Sequence, residues 1–170
     1  MSPRIAQFLC VLLFPSLALA VATGDTAPDF TLPPLRTSDG SSAISLTAFR
    51  GKVVYVDFWA SWCAPCLVSI PLLNEMRERY VAEGKAFEVL AVNVDSEPED
   101  GIEFLLDEPV SYPVVSDPEG TTPALYSVPG MPTSYLVDGE GRVRLVHTGF
   151  KRSDIELIEA EVGKLLDELE

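Results

Sequence analysis

Residues 52–59 constrain the fold of this chain more than any other segment. They begin with Lys52 and continue as Val-Val-Tyr-Val-Asp-Phe-Trp, so β-branched and aromatic residues follow one another without a polar alternation. A strand with one solvated face alternates apolar and polar residues, whereas a continuous apolar run is typical of a strand that is buried on both faces. We therefore predict a central strand of a covered sheet.

The segments around this strand alternate between helix and strand patterns. Predicted helices span residues 66–80, 98–107, 123–126 and 153 onward, and further predicted strands span 87–94, 112–115, 133–137 and 142–146. Residues 25–50, rich in Pro, Ser, Thr and Gly, predict a loop-rich lead with a small hairpin. This order predicts one α/β domain with a mixed central sheet flanked by helices and a right-handed crossover.

The N-terminal residues have the features of a secretory signal peptide. Arg4 precedes an apolar run over residues 5–21, and Ala18-Leu19-Ala20 supplies the small residues of a cleavage site after Ala20. An uncleaved anchor is the alternative, because the run approaches the length of a membrane-spanning helix. We predict a signal peptide at 1–20, a domain at 21–170, and export to the bacterial periplasm, with tethering to the inner membrane if the segment is retained.

Net charge argues against two classes of partner. The chain has 12 basic and 26 acidic residues and a formal net charge of −14, which becomes −15 when the predicted signal peptide removes Arg4. Such a surface repels nucleic-acid phosphates and anionic lipid headgroups. We expect no nucleic-acid partner, membrane contact only through an N-terminal anchor, and a monomer.

A pair of cysteines lies where the predicted central strand passes into the first helix. The segment reads Trp62-Cys63-Ala64-Pro65-Cys66. A helix N-terminus offers unpaired N–H groups and the positive end of the helix dipole, which favour a thiolate, so Cys63 is the candidate nucleophile and is expected to be the exposed thiol. Cys66, one turn further, is placed to attack a mixed disulfide at Cys63 as the resolving thiol.

Two structural explanations of the pair are weaker. A zinc site needs further ligands, yet residues 21–170 contain no other cysteine and a single histidine, His147. A purely structural disulfide that closes so short a loop gains little chain entropy. We predict no metal and no cofactor apart from the redox-active cysteine pair.

Several segments resemble thioredoxins. Residues 56–66, Val-Asp-Phe-Trp-Ala-Ser-Trp-Cys-Ala-Pro-Cys, are similar to the active-site segment, Pro71 matches the bend of the active-site helix, and residues 131–133, Met-Pro-Thr, resemble the cis-proline turn. Residues 24–52 and an extra helix and strand within 96–117 resemble the exported TlpA/ResA-type branch of the superfamily, which includes the membrane-tethered reductases of cytochrome c maturation.

The resemblance implies a thioredoxin fold with an N-terminal hairpin and an inserted helix-strand segment. It also implies a thiol-disulfide oxidoreductase in which Cys63 and Cys66, separated by Ala64 and Pro65, reduce disulfides of exported client proteins, with cytochrome c maturation as one route. Because the exported compartment is oxidising, such a reductase requires a membrane electron-donor protein.

Two further groups of residues receive substrate-binding roles from the resemblance. Pro132, if cis, presents the backbone of Met131 beside Cys63, where a substrate segment pairs with it as a short added strand; an ordinary tight turn is the alternative. Trp62 resembles the exposed indole beside the dithiol, whereas Trp59 is the better candidate for the core.

Asp57 is the polar residue that interrupts the apolar central strand. Its predicted role is to accept the proton of Cys66 during resolution, with a pKa raised by burial; a carboxylate that reaches solvent at the strand edge is the alternative. Two departures from the family surround it. Ala91 occupies the place where cytoplasmic thioredoxins have a lysine, and Ser69 occupies the place where the cytochrome c branch often has a glutamate.

Two other functions compete with disulfide reduction. A peroxiredoxin-like thiol peroxidase needs a threonine three residues before its reactive cysteine, and Ala60 at that position has no hydroxyl. A non-catalytic binding module on the thioredoxin scaffold has no need for two cysteines on one helical turn. The intact dithiol therefore favours the oxidoreductase.

Overall fold

The computed structural model describes residues 20–36 and 42–169. Nearly all of the predicted signal peptide at 1–20 lies outside the described residues, so that assignment stays a prediction. The elements in chain order are β1 (Thr31–Leu32), β2 (Ile44–Ser45), a 3-10 turn (Leu46–Phe49), β3 (Val53–Trp59), α1 (Ala64–Ala82), β4 (Phe87–Asn93), α2 (Pro98–Asp107), β5 (Val114–Ser116), α3 (Thr121–Tyr126), β6 (Thr133–Val137), β7 (Val143–Thr148) and α4 (Asp154–Leu169).

The main sheet, as far as the described residues show it, has the order β5-β4-β3-β6-β7. β3 pairs in parallel with β4, and β4 with β5, whereas β6 is antiparallel to both β3 and β7. All seven residues of β3 are buried, which follows from its central place and its continuous apolar sequence. The predicted mixed sheet with a covered central strand is confirmed.

The two faces of the sheet are covered by different parts of the chain. Side chains from α1, α2 and α4 pack with one face, where the core includes Tyr55, Trp59 and both cysteines. The N-terminal lead and α3 pack with the other face, against Val56 and Phe58. β1 and β2 form the small antiparallel hairpin that the sequence predicts.

Several boundaries differ from the predicted ones. α1 begins at Ala64 rather than at residue 66, because Pro65 is well suited to the first turn of a helix, where its missing N–H costs nothing. Pro71 lies inside α1, and Gly84, with a φ of 72°, follows its end. The strand predicted at 112–115 is found at Val114–Ser116, because Tyr112 instead packs into the core and its hydroxyl donates to the Ile70 carbonyl at 3.4 Å.

The parallel pairing of β3 and β4 determines where a site can form. Their carboxyl ends lie at the same edge of the sheet, and four residues, 60–63, separate the end of β3 from the start of α1 at that edge. None of the helices in 20–36 and 42–169 combines the length and the apolar composition needed to cross a bilayer.

Candidate active site

The two cysteines lie at the start of α1. Cys63 is the N-cap residue and Cys66 lies in the first turn; the two are joined by a disulfide, with 5.2 Å between their Cα atoms. The N–H groups of Cys66 and Leu67 donate to the Cys63 carbonyl at 2.9 and 3.2 Å. The described residues of this first turn include no acid, so no carboxylate there opposes the attraction of the helix dipole for a thiolate.

The two cysteines differ in solvent exposure by less than the sequence predicts. Cys63 has 4% of its surface exposed and Cys66 has none, so the expectation of an exposed Cys63 is wrong. The residue is buried because its sulfur is bonded to Cys66 and both pack in the core, with Met131 against the same cluster. A reagent that approaches the disulfide from solvent therefore reaches Cys63 first.

Trp62 has the most exposed large apolar side chain in the described part of the chain, at 68%. Trp59, three residues earlier, is fully buried and its ring lies 5.7 Å from that of Phe104 in α2. The predicted division between an exposed and a core indole is confirmed. Since Trp62 directly precedes Cys63, its indole is available to any group that approaches the sulfur.

The turn before β6 has the predicted proline geometry. The Met131–Pro132 peptide bond is cis, so the alternative of an ordinary turn is wrong. The Thr133 hydroxyl donates to the Gly130 carbonyl at 2.7 Å across this turn. Met131 is partly buried and packs against the core cluster that contains Cys63.

Asp57 is buried in the middle of β3. Its side chain is 1% exposed, so the alternative of a carboxylate that reaches solvent is wrong. The Ser134 hydroxyl donates to Oδ1 at 2.6 Å, while Oδ2 has no hydrogen-bond partner among the described residues. Burial raises the pKa of the Asp57 carboxyl to about 7, and the hydrogen bond from Ser134 acts in the opposite direction.

The side chain of Asp57 projects toward the helix layer that carries the dithiol. Alternate residues of a strand share a face, so Asp57 lies on the same face as Tyr55 and Trp59. Those two residues pack in one core cluster with Cys63 and Cys66. A carboxyl group able to exchange a proton near neutral pH therefore lies on the face of the sheet that α1 covers.

Both departures from the family pattern are explained by their surroundings. Ala91 of β4 is the direct cross-strand partner of Asp57, so no lysine pairs with the carboxylate from that position. Ser69 is buried in α1, and its hydroxyl donates to the Cys66 carbonyl at 3.0 Å. In this chain Ser69 provides a hydrogen-bond donor for a backbone carbonyl of α1 and does not provide a carboxyl group.

A second buried carboxylate, Asp95, supports the loop before the dithiol, and sequence reasoning missed it. Asp95 is 1% exposed, and it accepts hydrogen bonds from the Ser61 N–H at 3.0 Å, the Ser61 hydroxyl at 3.0 Å and the Asn93 amide at 2.7 Å. A signal was present, because polar residues directly after a buried parallel strand lie at the edge of the sheet where the loop after β3 also lies.

Ser134, the hydrogen-bond partner of Asp57, was missed as well. Its position in the cross-strand register of β3 and β6 places it directly opposite the carboxylate. No local pattern marks this serine, because the contact joins residues 77 positions apart in the chain.

Comparison with known proteins agrees with this geometry. Residues 23–146 match the AhpC/TSA family, which is most of the chain. This protein belongs to the AhpC/TSA family. The chain is 37% identical to the thiol-disulfide oxidoreductase ResA of Geobacillus kaustophilus over 139 residues, which is 81% of this chain and 76% of that protein. It is 35% identical to the thiol:disulfide interchange protein DsbE of Xylella fastidiosa over 150 residues, 86% of this chain and 71% of that protein.

A solved structure of a similar chain has the same fold. The structure, described as a thiol:disulfide interchange protein DsbE of Chlorobium tepidum, matches with a TM-score of 0.80 and 44% identity, over 86% of this chain and 99% of that one. These relatives confirm the predicted thioredoxin fold and the predicted class of activity, thiol-disulfide oxidoreduction.

Proposed function

We propose that this protein reduces disulfides of exported client proteins through Cys63 and Cys66. The observation that carries the proposal is the placement of the pair: a dithiol at the N-terminus of α1, flanked by an exposed indole and by the cis Met131–Pro132 bond. Each part has a separate task in disulfide exchange. The absence of a hydroxyl at Ala60 supports this activity over a thiol peroxidase.

The first step is attack by Cys63. In the reduced protein its thiolate, stabilised by the N-terminus of α1, forms a bond to one sulfur of the client disulfide and displaces the other as a thiolate. The Trp62 indole and the backbone at Met131 hold the client segment, which pairs along this turn as a short strand. Ala64 and Pro65 are exposed and leave the approach to Cys63 free.

The second step is resolution by Cys66. Its thiol gives a proton to the Asp57 carboxylate, and the resulting thiolate attacks the Cys63 sulfur. The Cys63–Cys66 disulfide forms and the second client sulfur leaves as a thiolate, so two electrons have passed to the client. A carboxyl group with a pKa of about 7 is suited to take this proton and release it near neutral pH.

The oxidised protein must then be reduced again. An exported reductase in an oxidising compartment depends on a membrane electron-donor protein, and the predicted signal peptide or anchor at 1–20 would bring the domain to that side of the membrane. Relatives named ResA and DsbE support a client in cytochrome c maturation. We expect the protein to act as a monomer without metal or cofactor.

Trapping of a defined client tests the two cysteine roles. Reduced Cys66→Ser and Cys63→Ser variants are incubated with insulin, whose chains are joined by disulfides, and covalent adducts are resolved by mass spectrometry. Cys66→Ser should hold insulin as a mixed disulfide, and Cys63→Ser should trap less than about a tenth as much, because only Cys63 makes the first attack. Equal trapping by both variants would contradict the assignment, and the wild type should release free insulin chains.

A further inference from the structure

Five buried polar side-chain atoms have no hydrogen-bond partner among the described residues: Tyr55 Oη, Asp57 Oδ2, Trp59 Nε1, Ser116 Oγ and His147 Nδ1. Tyr55, Asp57 and Trp59 share one face of β3, and the register of β3, β6 and β7 places His147 on the same face of the sheet. Buried polar groups in proteins are nearly always paired, so an unpaired one needs an explanation, of which a role in catalysis is one. The shared location of four of these unpaired atoms on one face of the sheet therefore suggests a common function.

The strand register connects Asp57 to His147 through one residue. Asp57 of β3 lies opposite Ser134 of β6, and Ser134 lies opposite His147 of β7. Directly opposite residues of an antiparallel pair have Cβ atoms about 4.5 to 5.5 Å apart and share a face of the sheet. The three side chains thus form a row across the sheet, and its first link is the 2.6 Å hydrogen bond from Ser134 to Asp57.

The outer end of this row reaches toward solvent. His147 Nε2 lies 3.4 Å from Asp154 Oδ2, at the first residue of α4. The His147 side chain is 15% exposed and the Asp154 side chain 28% exposed. Burial therefore decreases step by step from Asp57 to Asp154, and the Phe150 ring covers the imidazole edge-on with 6.2 Å between ring centres.

We propose that Ser134, His147 and Asp154 form the path by which protons pass between Asp57 and solvent. The inference rests on the proposed role of Asp57 as the acceptor of the Cys66 proton. His147 acts through Asp57: it holds a place on the proton path and does not contact the client.

The transfer balances at each atom. Protonated Asp57 gives its proton to the Ser134 oxygen, and the Ser134 hydroxyl, which donates to Asp57 in this structure, turns to pass its proton to His147 Nδ1, an atom with no hydrogen-bond partner among the described residues. The imidazole releases the proton on Nε2 to the Asp154 carboxylate, which gives it to water. One proton enters and one leaves at every group, and no electrons move.

Other titratable groups face this row from the elements around it. Tyr55 projects from β3, Tyr112 lies in the segment before β5, Cys66 belongs to α1 and Asp154 begins α4. Burial, and next the Asp57 carboxylate, raise the pKa values of both Tyr55 and Tyr112, so the phenols stay neutral at physiological pH. Asp57, whose pKa burial raises to about 7, is thus the carboxyl group of the row that exchanges its proton near neutral pH.

Single-turnover kinetics with chemical rescue tests the path. Reduced full-length protein is mixed with a disulfide-bonded peptide at low buffer concentration, and resolution is followed by tryptophan fluorescence. His147→Gln should resolve about tenfold more slowly than wild type at neutral pH, and added imidazole should restore most of the rate, because the path supplies acid-base catalysis that a free imidazole can replace. Asp154→Asn, which keeps the side-chain shape, should slow the same step by a smaller factor.

Controls separate this inference from the proposed function. Thr148→Ala alters the next residue of β7, which projects from the opposite face, and should leave the rate unchanged. In an Asp57→Asn background, His147→Gln should add no further slowing, because the path then has no proton to carry. An unchanged rate in His147→Gln, or a loss that imidazole does not restore, would overturn the path and leave the dithiol chemistry intact. Failure of the wild type to form the mixed disulfide would overturn the proposed function itself.

Discussion

Asp57 and Asp95 show how two buried carboxylates in one domain take different tasks. Asp95 accepts hydrogen bonds from Ser61 and Asn93, so both of its carboxyl oxygens have partners. Asp57 receives one hydrogen bond, from Ser134, and one of its oxygens has no partner among the residues described. A buried carboxylate costs free energy when its charge is poorly compensated, so Asp57 is the residue whose presence folding explains least.

Replacement of Asp57 by asparagine should stabilise the fold and impair the chemistry. The folded pKa of about 7 lies above the ordinary value of 3.8, so the folded state binds this proton more tightly than the unfolded chain does. The free energy of unfolding therefore falls as pH rises through that interval and stays lower above it. Asp57→Asn should raise stability at pH 8 by on the order of 2 kcal/mol, with a smaller gain near pH 4, as measured by urea unfolding.

The same variant should slow disulfide exchange most above about pH 7, where the wild-type carboxylate is ionised, and should flatten the pH dependence of the rate. Asp95→Asn is the matched control, and it should lower stability, because an amide cannot accept all three of the hydrogen bonds to the carboxylate. A destabilised Asp57→Asn with an unchanged exchange rate would make Asp57 a structural anchor and exclude it as proton acceptor.

At the level of elements, the inserted helix α2 is connected to the active-site loop. Gly101 of α2 packs so closely on Asn93 that a Cβ atom there would lie 2.6 Å from the side-chain Nδ2. Asn93 donates to Asp95, and Asp95 accepts from Ser61, two residues before Cys63. The helix therefore holds the loop in place through a short chain of buried contacts.

Gly101→Ala should disturb both stability and activity. The new methyl group must displace Asn93, so we expect a loss of about 1 to 3 kcal/mol in urea unfolding and slower disulfide exchange. Gly163→Ala in α4 is the matched control, because the nearest atom to its Cβ, the Tyr80 hydroxyl, is 4.0 Å away. That variant should gain up to about 1 kcal/mol from helix propensity. Equal effects of the two substitutions would refute the connection from α2 to the loop.

At the scale of the whole molecule, the arrangement of the sheet brings an acid and a dithiol to one side of β3. Asp57 and the cysteines share the core face covered by α1, α2 and α4. An ionised carboxylate near a thiolate raises the free energy of the reduced form, and a less stable reduced form is a stronger reductant. The direction of electron flow thus depends on surroundings beyond the residues between the two cysteines.

Equilibration with glutathione mixtures should give this protein the potential of a reductant. We expect a value closer to the about −270 mV of thioredoxin than to the about −120 mV of strong oxidants, because an Asp57 carboxylate on the face of the sheet that carries the dithiol disfavours the thiolate state. The fraction of reduced protein is read by thiol labelling. A potential near that of the strong oxidants would reverse the proposed direction, and Asp57→Asn should shift the potential toward the oxidant side.

The sequence by itself determined the parts of this protein that are local in the chain. A run of apolar residues identified β3 as a central strand, and the cysteines at the start of α1 identified the chemistry, because both signals lie within about twenty residues. The predicted burial of Asp57 followed from its apolar neighbours in the same strand.

Tertiary structure alone decided which groups surround those residues. Ser134 opposite Asp57, His147 opposite Ser134, and Gly101 against Asn93 are contacts between distant segments. Strand register and helix packing set them, and a shift of one residue would turn each side chain to the other face of the sheet. The same long-range packing buried Cys63, which its place at the helix start had predicted to be exposed. Local pattern can locate a reactive group, but the path of its proton depends on the register of strands that lie far apart in the chain.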